Sequence, residues 1–358
     1  MNFFETIITE EAFKQVNLTL TSTNISEGLA VAEFEKQLEQ QFGYKYGVGV
    51  NSCTSALHLA LVMAGVGRGD EVILPAQTFV ATGLAVLYCG ATPVFVDIQA
   101  ETGNIDPLKI GPAVTSRTKA VICVSWGGNP CDLLGLQKVC EHYGLVLIQD
   151  NAQAFGATYM GEPISSYGDF SCFSFQAIKH LTTGDGGLLV CRGERLYRKA
   201  KSLSWFGIDR TRDLPDETGE RVYNLDTLGY KYHMNDIAAS LGLGNLHRVK
   251  SRLRRRKEIA DVYENKLSDI SAFRYPGSAN WLYTVLVDER KDFIHAMKER
   301  DIPVSVVHCG IDRNAIFGEK KHLPIQRYWD EHHICLPIHS SLTDEDVYEV
   351  VEAVNVGW

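Results

Sequence analysis

Between Asp70 and Cys191 the chain alternates short runs that are apolar at nearly every position with segments of helical or turn pattern. Residues 71–74, 93–98, 120–124 and 145–148 are such runs, and residues 170–175 form a further one. Continuous apolar character, rather than in-and-out alternation, suits central strands of a mostly parallel sheet with helices on both faces. Helical patterns fill the gaps at residues 82–88 and 133–143. Beyond Cys191 the texture changes: residues 207–227 are polar and charged with little periodicity, and a helical region runs from about Asn235 to Leu267. Residues 283–288 then read as a strand and 293–300 as a helix. The pattern predicts an α/β protein with a large domain over residues 1–244 and a smaller C-terminal α/β domain over residues 245–358. The first twenty or so residues are expected to pack on the small domain.

Composition changes this picture little. A chain of 358 residues, 45% hydrophobic and 22% charged, is long enough for one large or two unequal cores and too apolar for disorder to dominate. A formal charge of -9 argues against a protein that tracks nucleic-acid phosphates. The basic strip at residues 252–257 is read as a solvated or subunit-facing helix. No run reaches the roughly 18 apolar residues of a membrane span, and the start lacks a basic segment followed by an apolar one. A soluble, unexported, cytoplasmic protein is expected. Nine cysteines with no Cys-x-x-Cys pair read as reduced core thiols. Eleven histidines, His332 and His333 adjacent among them, show no metal-ligand spacing; they are expected at the surface or in dimer contacts, with no metal bound.

Four features carry candidate chemistry. Asp150 follows the run 145–148 and should stand at the carboxyl end of a central strand, where open α/β sheets place ligands. A carboxylate buried there is costly unless it meets a cation, although it could equally cap a following helix. Lys179 follows the next strand, in a loop rich in Gly and Thr. Residues 51–55 crowd hydroxyls in front of a helical pattern, which signals a helix N-terminus that either caps itself or attracts an anion. Phe79 adds an aromatic after Pro75. Taken together these match pyridoxal phosphate, which needs an amine to bond its aldehyde, a carboxylate to keep its ring nitrogen protonated, and donors for its phosphate.

At residues 51–60, 69–75, 78–82, 90–97, 150–154, 172–187 and 229–236 the chain resembles the DegT/StrS family of nucleotide-sugar aminotransferases, which are fold-type I pyridoxal-phosphate enzymes. The resemblance implies a large domain with a mostly parallel seven-stranded sheet flanked by helices, plus a small C-terminal domain. It makes Lys179 the Schiff-base lysine and Asp150 the partner of the ring nitrogen. Phe79 would stack on the ring, Gln153 would approach the phenolic oxygen, and Ser174, Thr54 and the amide of Cys53 would hold the phosphate. Such enzymes are typically homodimers with shared active sites, and the family's usual asparagine at the position of Lys231 reaches the phosphate across the interface; here Lys231 or His233 would do so. Ser125 stands where the commoner pattern has histidine. The implied reaction moves an amino group from L-glutamate to a nucleotide-linked keto-sugar. The loop 179–187 resembles C4-aminating members, so the acceptor is expected to be a nucleoside-diphosphate 4-keto-6-deoxyhexose, with a C3-aminating relative as the alternative. A related dehydratase class carries histidine in place of the lysine, but the spacing of five from Ser174 lands on Lys179 and not on His180. A non-catalytic regulatory module that binds the same cofactor is the remaining alternative.

Overall fold

The computed structural model describes residues 1–358 apart from 211–214, 216, 222, 224, 269 and 273, so the polar segment 207–227 lies partly outside the described residues. In chain order the strands are β1 (Gly47–Val50), β2 (Glu71–Pro75), β3 (Thr92–Val96), β4 (Thr118–Val124), β5 (Val146–Asp150), β6 (Thr158–Tyr159), β7 (Glu162–Pro163), β8 (Phe170–Ser174), β9 (Gly187–Cys191), β10 (Ser271–Ala272), β11 (Tyr283–Leu286) and β12 (His333–Leu336). The main sheet has 7 strands in the order β1-β9-β8-β5-β4-β2-β3. Pairing is parallel from β3 to β8, and β9 runs antiparallel between β8 and β1.

Alternate residues of each strand feed two different cores. On one face Ile73, Val121, Cys123, Leu147, Phe173 and Leu188 meet Val31, Phe34 and Leu38 of helix Leu29–Phe42 and Leu133, Leu136 and Cys140 of helix Leu133–Tyr143. On the other, Val72, Leu74, Ala120, Ile122, Ile148, Cys172 and Leu189 meet helices Cys53–Met63, Val80–Tyr88 and Glu194–Ser204. Since successive strand side chains point to opposite faces, a sheet covered on both must be apolar at every position. That is why the runs in the sequence are continuous. The cysteines fit this picture: all nine are free thiols, and all but Cys89 and Cys309 are buried.

A separate core forms around β11 and β12, where Val285, Ile334 and Leu336 pack against Phe293 and Met297 of helix Arg290–Glu299 and Val347, Val350 and Val354 of helix Asp344–Asn355. Helix Val249–Lys266 serves two cores, with Val249 in the first and Ile259, Ala260 and Tyr263 in this one. Its basic strip is only in part the solvated surface expected of it: Arg254 and Lys257 are exposed and Arg255 is half-buried. Arg252 and Arg256 instead turn inward, at 9% and 5% exposure, because they share the helix face of Val249, Ile259, Ala260 and Tyr263 that packs against the two cores. Arg256 Nη1 donates to the carbonyls of Asn280 (3.1 Å), Trp281 (3.2 Å) and Ile338 (2.5 Å). His333 is likewise a core residue, with Nδ1 at hydrogen-bond distance from the Trp329 carbonyl, whereas its neighbour His332 is only partly buried.

The N-terminal residues divide between two neighbours. Asn2, Glu5 and Ile7 touch His339 and Arg252, and Phe4 stacks on Trp281. Helix Glu10–Ser22 lies instead against helix Asp236–Leu246, so close that a Cβ on Gly244 would stand 2.2 Å from Ala12 Cα.

Candidate active site

The carboxyl ends of β4, β5 and β8 open onto a cavity of about 440 Å³. The predicted residues Cys53, Thr54, Phe79, Asp150, Gln153, Ser174 and Lys179 all line it. Val124, Asp150 and Cys172 sit side by side in register, so Asp150 ends a central strand. The turn after it contains no helix, which removes the helix-capping reading of Asp150. Ser52 caps helix Cys53–Met63 by accepting from Ser55 N at 3.1 Å, and the first-turn residues Cys53 and Thr54 face the cavity. Amides of a first helical turn have no partner within the helix, and together with the dipole they favour an anion there. Gly187 closes this cradle: a Cβ would lie 2.6 Å from Cys53 N and 2.8 Å from the Phe173 carbonyl. Only a residue without a side chain lets β9 pass so close.

Asp150 is 5% exposed. Its Oδ2 accepts from the Thr82 hydroxyl at 2.7 Å and its Oδ1 from Ala152 N at 3.1 Å, neither of them a cation. Burial raises its pKa, against the pull of those two donors and of the Lys179 charge. Lys179 shows the opposite effect: burial pushes it down to about 8, Asp150 and Cys53 pull it back up, and Arg256 adds to the depression. For both groups the loss of water outweighs their mutual attraction. The result is a carboxylate lacking a paired cation and an amine that sheds its proton near neutrality. A ring N–H is what such a carboxylate can hold, and an aldehyde is what such an amine can bond.

Gln153 is fixed from behind, because its Oε1 accepts from Gly127 N at 2.7 Å. The Gly127-Gly128 turn thus orients a cavity residue, and Ser125 before it donates to Asn151 Oδ1 at 2.9 Å without lining the cavity. Phe79 stays 55% exposed at the mouth, its ring 5.1 Å from that of His308. Ser174 Oγ accepts from Gln176 N at 3.3 Å. Lys231 and His233 are not brought to this cavity. They lie beside Trp205, with Lys231 Nζ 5.9 Å from the centre of its ring and the His233 ring centre 4.2 Å from it.

Other cavity residues went unrecognised in the sequence. Phe4, Trp281 and His308 line the site from outside the main sheet. Burial, Lys179 and His333 hold the His308 ring down to about 4, so it is neutral. Thr82 stood inside a matched segment, but its hydroxyl contact with Asp150 depends on how helix Val80–Tyr88 leans over β5.

The donor set fits pyridoxal phosphate, and the arrangement on this sheet is that of a fold-type I aminotransferase. The chain belongs to the DegT/DnrJ/EryC1/StrS aminotransferase family, whose profile matches residues 6–355. It is similar to the spore coat polysaccharide biosynthesis protein SpsC of Bacillus subtilis, at 39% identity over 97% of this chain and 94% of that protein. It is 32% identical to the GDP-perosamine synthase of Escherichia coli O157:H7, over 98% of this chain and 97% of the other. Among solved structures it resembles the sugar aminotransferase Spr1654 of Streptococcus pneumoniae in its PLP form, with a TM-score of 0.91, 32% identity, and 99% and 98% of the two chains covered. The protein is therefore a pyridoxal-phosphate-dependent aminotransferase of nucleotide sugars. Among the described residues no helix is long and apolar enough to cross a membrane, and no group of three or more His, Cys, Asp or Glu side chains could hold a metal ion.

Proposed function

We propose that the protein transfers an amino group from L-glutamate to a nucleoside-diphosphate 4-keto-6-deoxyhexose, giving a 4-amino sugar still attached to its nucleotide. The observation that carries the chemistry is the burial of Lys179 and Asp150 in one cavity with opposed shifts in their proton affinity. The C4 preference rests on the loop 179–187 and on the similarity to a GDP-perosamine synthase.

When bound, pyridoxal phosphate supplies the electron sink that makes the donor's α-proton removable. Lys179 Nζ would hold the cofactor by its aldehyde carbon at rest, and once free its amine is placed to take up a proton and return it within the cavity. At pH 7 an amine with a pKa of about 8 is neutral about one time in ten, against fewer than about one in a thousand for an ordinary lysine. Asp150 would hold the ring N–H; Thr82 and Ala152 donate to its carboxylate and work against the rise in pKa that burial causes. Cys53 N, Thr54 and Ser174 would receive the phosphate, Phe79 would cover one ring face, and the Gln153 amide, its oxygen already engaged, would present its NH₂ to the phenolic oxygen.

His180, adjacent to Lys179, is turned away from the cavity, with Nε2 2.9 Å from the Ala279 carbonyl. Burial and the Arg256 charge push its pKa well down. This favours the aminotransferase over the histidine-dependent dehydratase. The exposed Lys231 and nearby His233, outside their own chain's cavity, suit a role in a partner's site, so a homodimer with shared active sites completes the reading. We place the division between the two domains near residue 245. The test is a panel of nucleotide-linked keto-sugars with glutamate, scored by the mass and regiochemistry of the product. Amination at C4 is expected; amination only at C3, or loss of a hydroxyl without nitrogen transfer, overturns the assignment.

A further inference from the structure

Trp281 has no place in the reading so far, although it touches the reactive lysine. Lys179 Nζ sits 3.5 Å from the centre of the Trp281 ring, and Trp281 lines the cavity while being only 2% exposed. Three contacts hold it, and a glycine lets its backbone come close. Its indole N–H donates to the Ile178 carbonyl at 3.1 Å, on the residue immediately before Lys179. Phe4 stacks near-parallel to it, with centroids 5.2 Å apart and planes at 21°. Its carbonyl accepts from the buried Arg256 at 3.2 Å. Gly128 admits its backbone, since a Cβ there would stand 3.1 Å from Trp281 N and 2.9 Å from the Gln153 carbonyl.

We propose that Trp281 is the positioning residue for Lys179, a π platform that seats the lysine's ammonium form each time Nζ has taken up the transferred proton. The proposal rests on Lys179 being the reactive lysine. An indole face attracts an ammonium yet accepts no conventional hydrogen bond from it. A carboxylate at the same place would bind the proton and raise the lysine's pKa by one or more units. A π face offers milder stabilisation and leaves the N–H bonds free to return the proton. The tie from the indole to Ile178 fixes the platform to the same loop as the lysine, so the two cannot drift apart when the substrate enters.

The other groups acting on Lys179 come from several elements. Asp150 at the end of β5 and Cys53 at its helix N-terminus favour the ammonium; Arg256 opposes it, and the neutral rings of His308 and His180 lie nearby. Trp281 is the group whose removal alters the ammonium's seat without changing any of these charges.

The test uses full-length wild-type protein, Trp281→Phe, which keeps a π face but loses the tie to Ile178, and Trp281→Leu, which loses both. Trp281→Met stands in for the leucine variant if that one fails to fold. Borohydride reduction of each loaded enzyme, followed by peptide mass, first locates the cofactor. No adduct on Lys179 in wild type would overturn the underlying reading of the lysine. With that adduct in hand, cofactor-stripped protein is trace-labelled with acetic anhydride across pH, and the Lys179 peptide is quantified against an exposed lysine. Wild type and Trp281→Phe are expected to give half-labelling near pH 8, whereas in Trp281→Leu it falls by about one pH unit. The glutamate half-reaction should slow about tenfold in the leucine variant with little change in KM, and less in the phenylalanine variant. Equal labelling curves for wild type and Trp281→Leu, or equal loss of rate in the phenylalanine and leucine variants, would overturn the platform.

Discussion

The two sides of the cavity differ in how they are built. The sheet side delivers Asp150, Ser174, Lys179 and the Cys53-Thr54 helix start from strand ends and the loops beside them. The far side delivers Phe4 from a chain terminus, Trp281 from the segment before β11 and His308 from the segment after helix Arg290–Glu299, with Trp281 held by contacts between residues distant in sequence. The first side carries the buried charged groups Asp150 and Lys179, to which the proposed chemistry is assigned. The second supplies aromatic and neutral groups that border those charges. A site built this way can keep its chemistry on a rigid sheet while the groups around the substrate vary.

Removing chemistry from the sheet side should have the largest effect. Lys179→Ala is expected to lower turnover by at least about 10³-fold, as loss of both the covalent anchor and the proton carrier requires. The protein should remain folded, with helix and sheet content unchanged by circular dichroism. Asp150→Asn should slow the glutamate half-reaction by about 10²-fold or more while the cofactor stays bound, since the amide cannot hold the ring N–H by charge. Stopped-flow absorbance would show it, and an unchanged rate would remove Asp150 from its role.

The far side should respond through architecture. Arg256→Met leaves the carbonyls of Asn280, Trp281 and Ile338 without their donor. It should cost about 1–3 kcal/mol of stability in denaturant titration, with a smaller effect on rate than Asp150→Asn. A larger effect on rate than on stability would move Arg256 to the chemical side. A subtler change on the sheet side is Thr82→Val. The Thr82 hydroxyl lowers the Asp150 pKa against the rise caused by burial. Its loss therefore raises that pKa, so the acidic limb of the pH–rate profile should move to higher pH, with a rate loss of about tenfold or less at neutral pH. A limb that stays in place would show that another group governs it. The smallest effect belongs to Lys231→Ala, which should speed cofactor loss upon dilution only if the side chain serves a partner's site.

The same division explains what the sequence made legible. Continuous apolar runs revealed the strands of a sheet covered on both faces, and the strand ends then placed Asp150 and Lys179. Ser52 and the hydroxyls after it announced a helix start, but not that Gly187 would press β9 against it; that closeness comes from the β1–β9 pairing. Trp281 was hidden for a different reason. It precedes a strand with ordinary half-buried character, and its approach to Lys179 depends on Arg256, Phe4 and Gly128, each far away in the chain. Arg256 itself sat in a basic strip that pattern alone assigns to a surface. Periodicity records which face of an element is covered, and here the helix was covered by two cores at once.

The central claim of the proposed reading is that Lys179 is the amine that bonds the cofactor at rest and then carries the proton, while the nitrogen itself passes from donor to cofactor to sugar. Borohydride reduction of the purified, cofactor-loaded protein, followed by peptide mass analysis before and after exposure to L-glutamate, tests it most directly. The expected result is a reduced pyridoxyl group on the peptide carrying Lys179, absent once glutamate has converted the cofactor and released the lysine. An adduct on a different lysine, or one that glutamate leaves unchanged, would contradict the account.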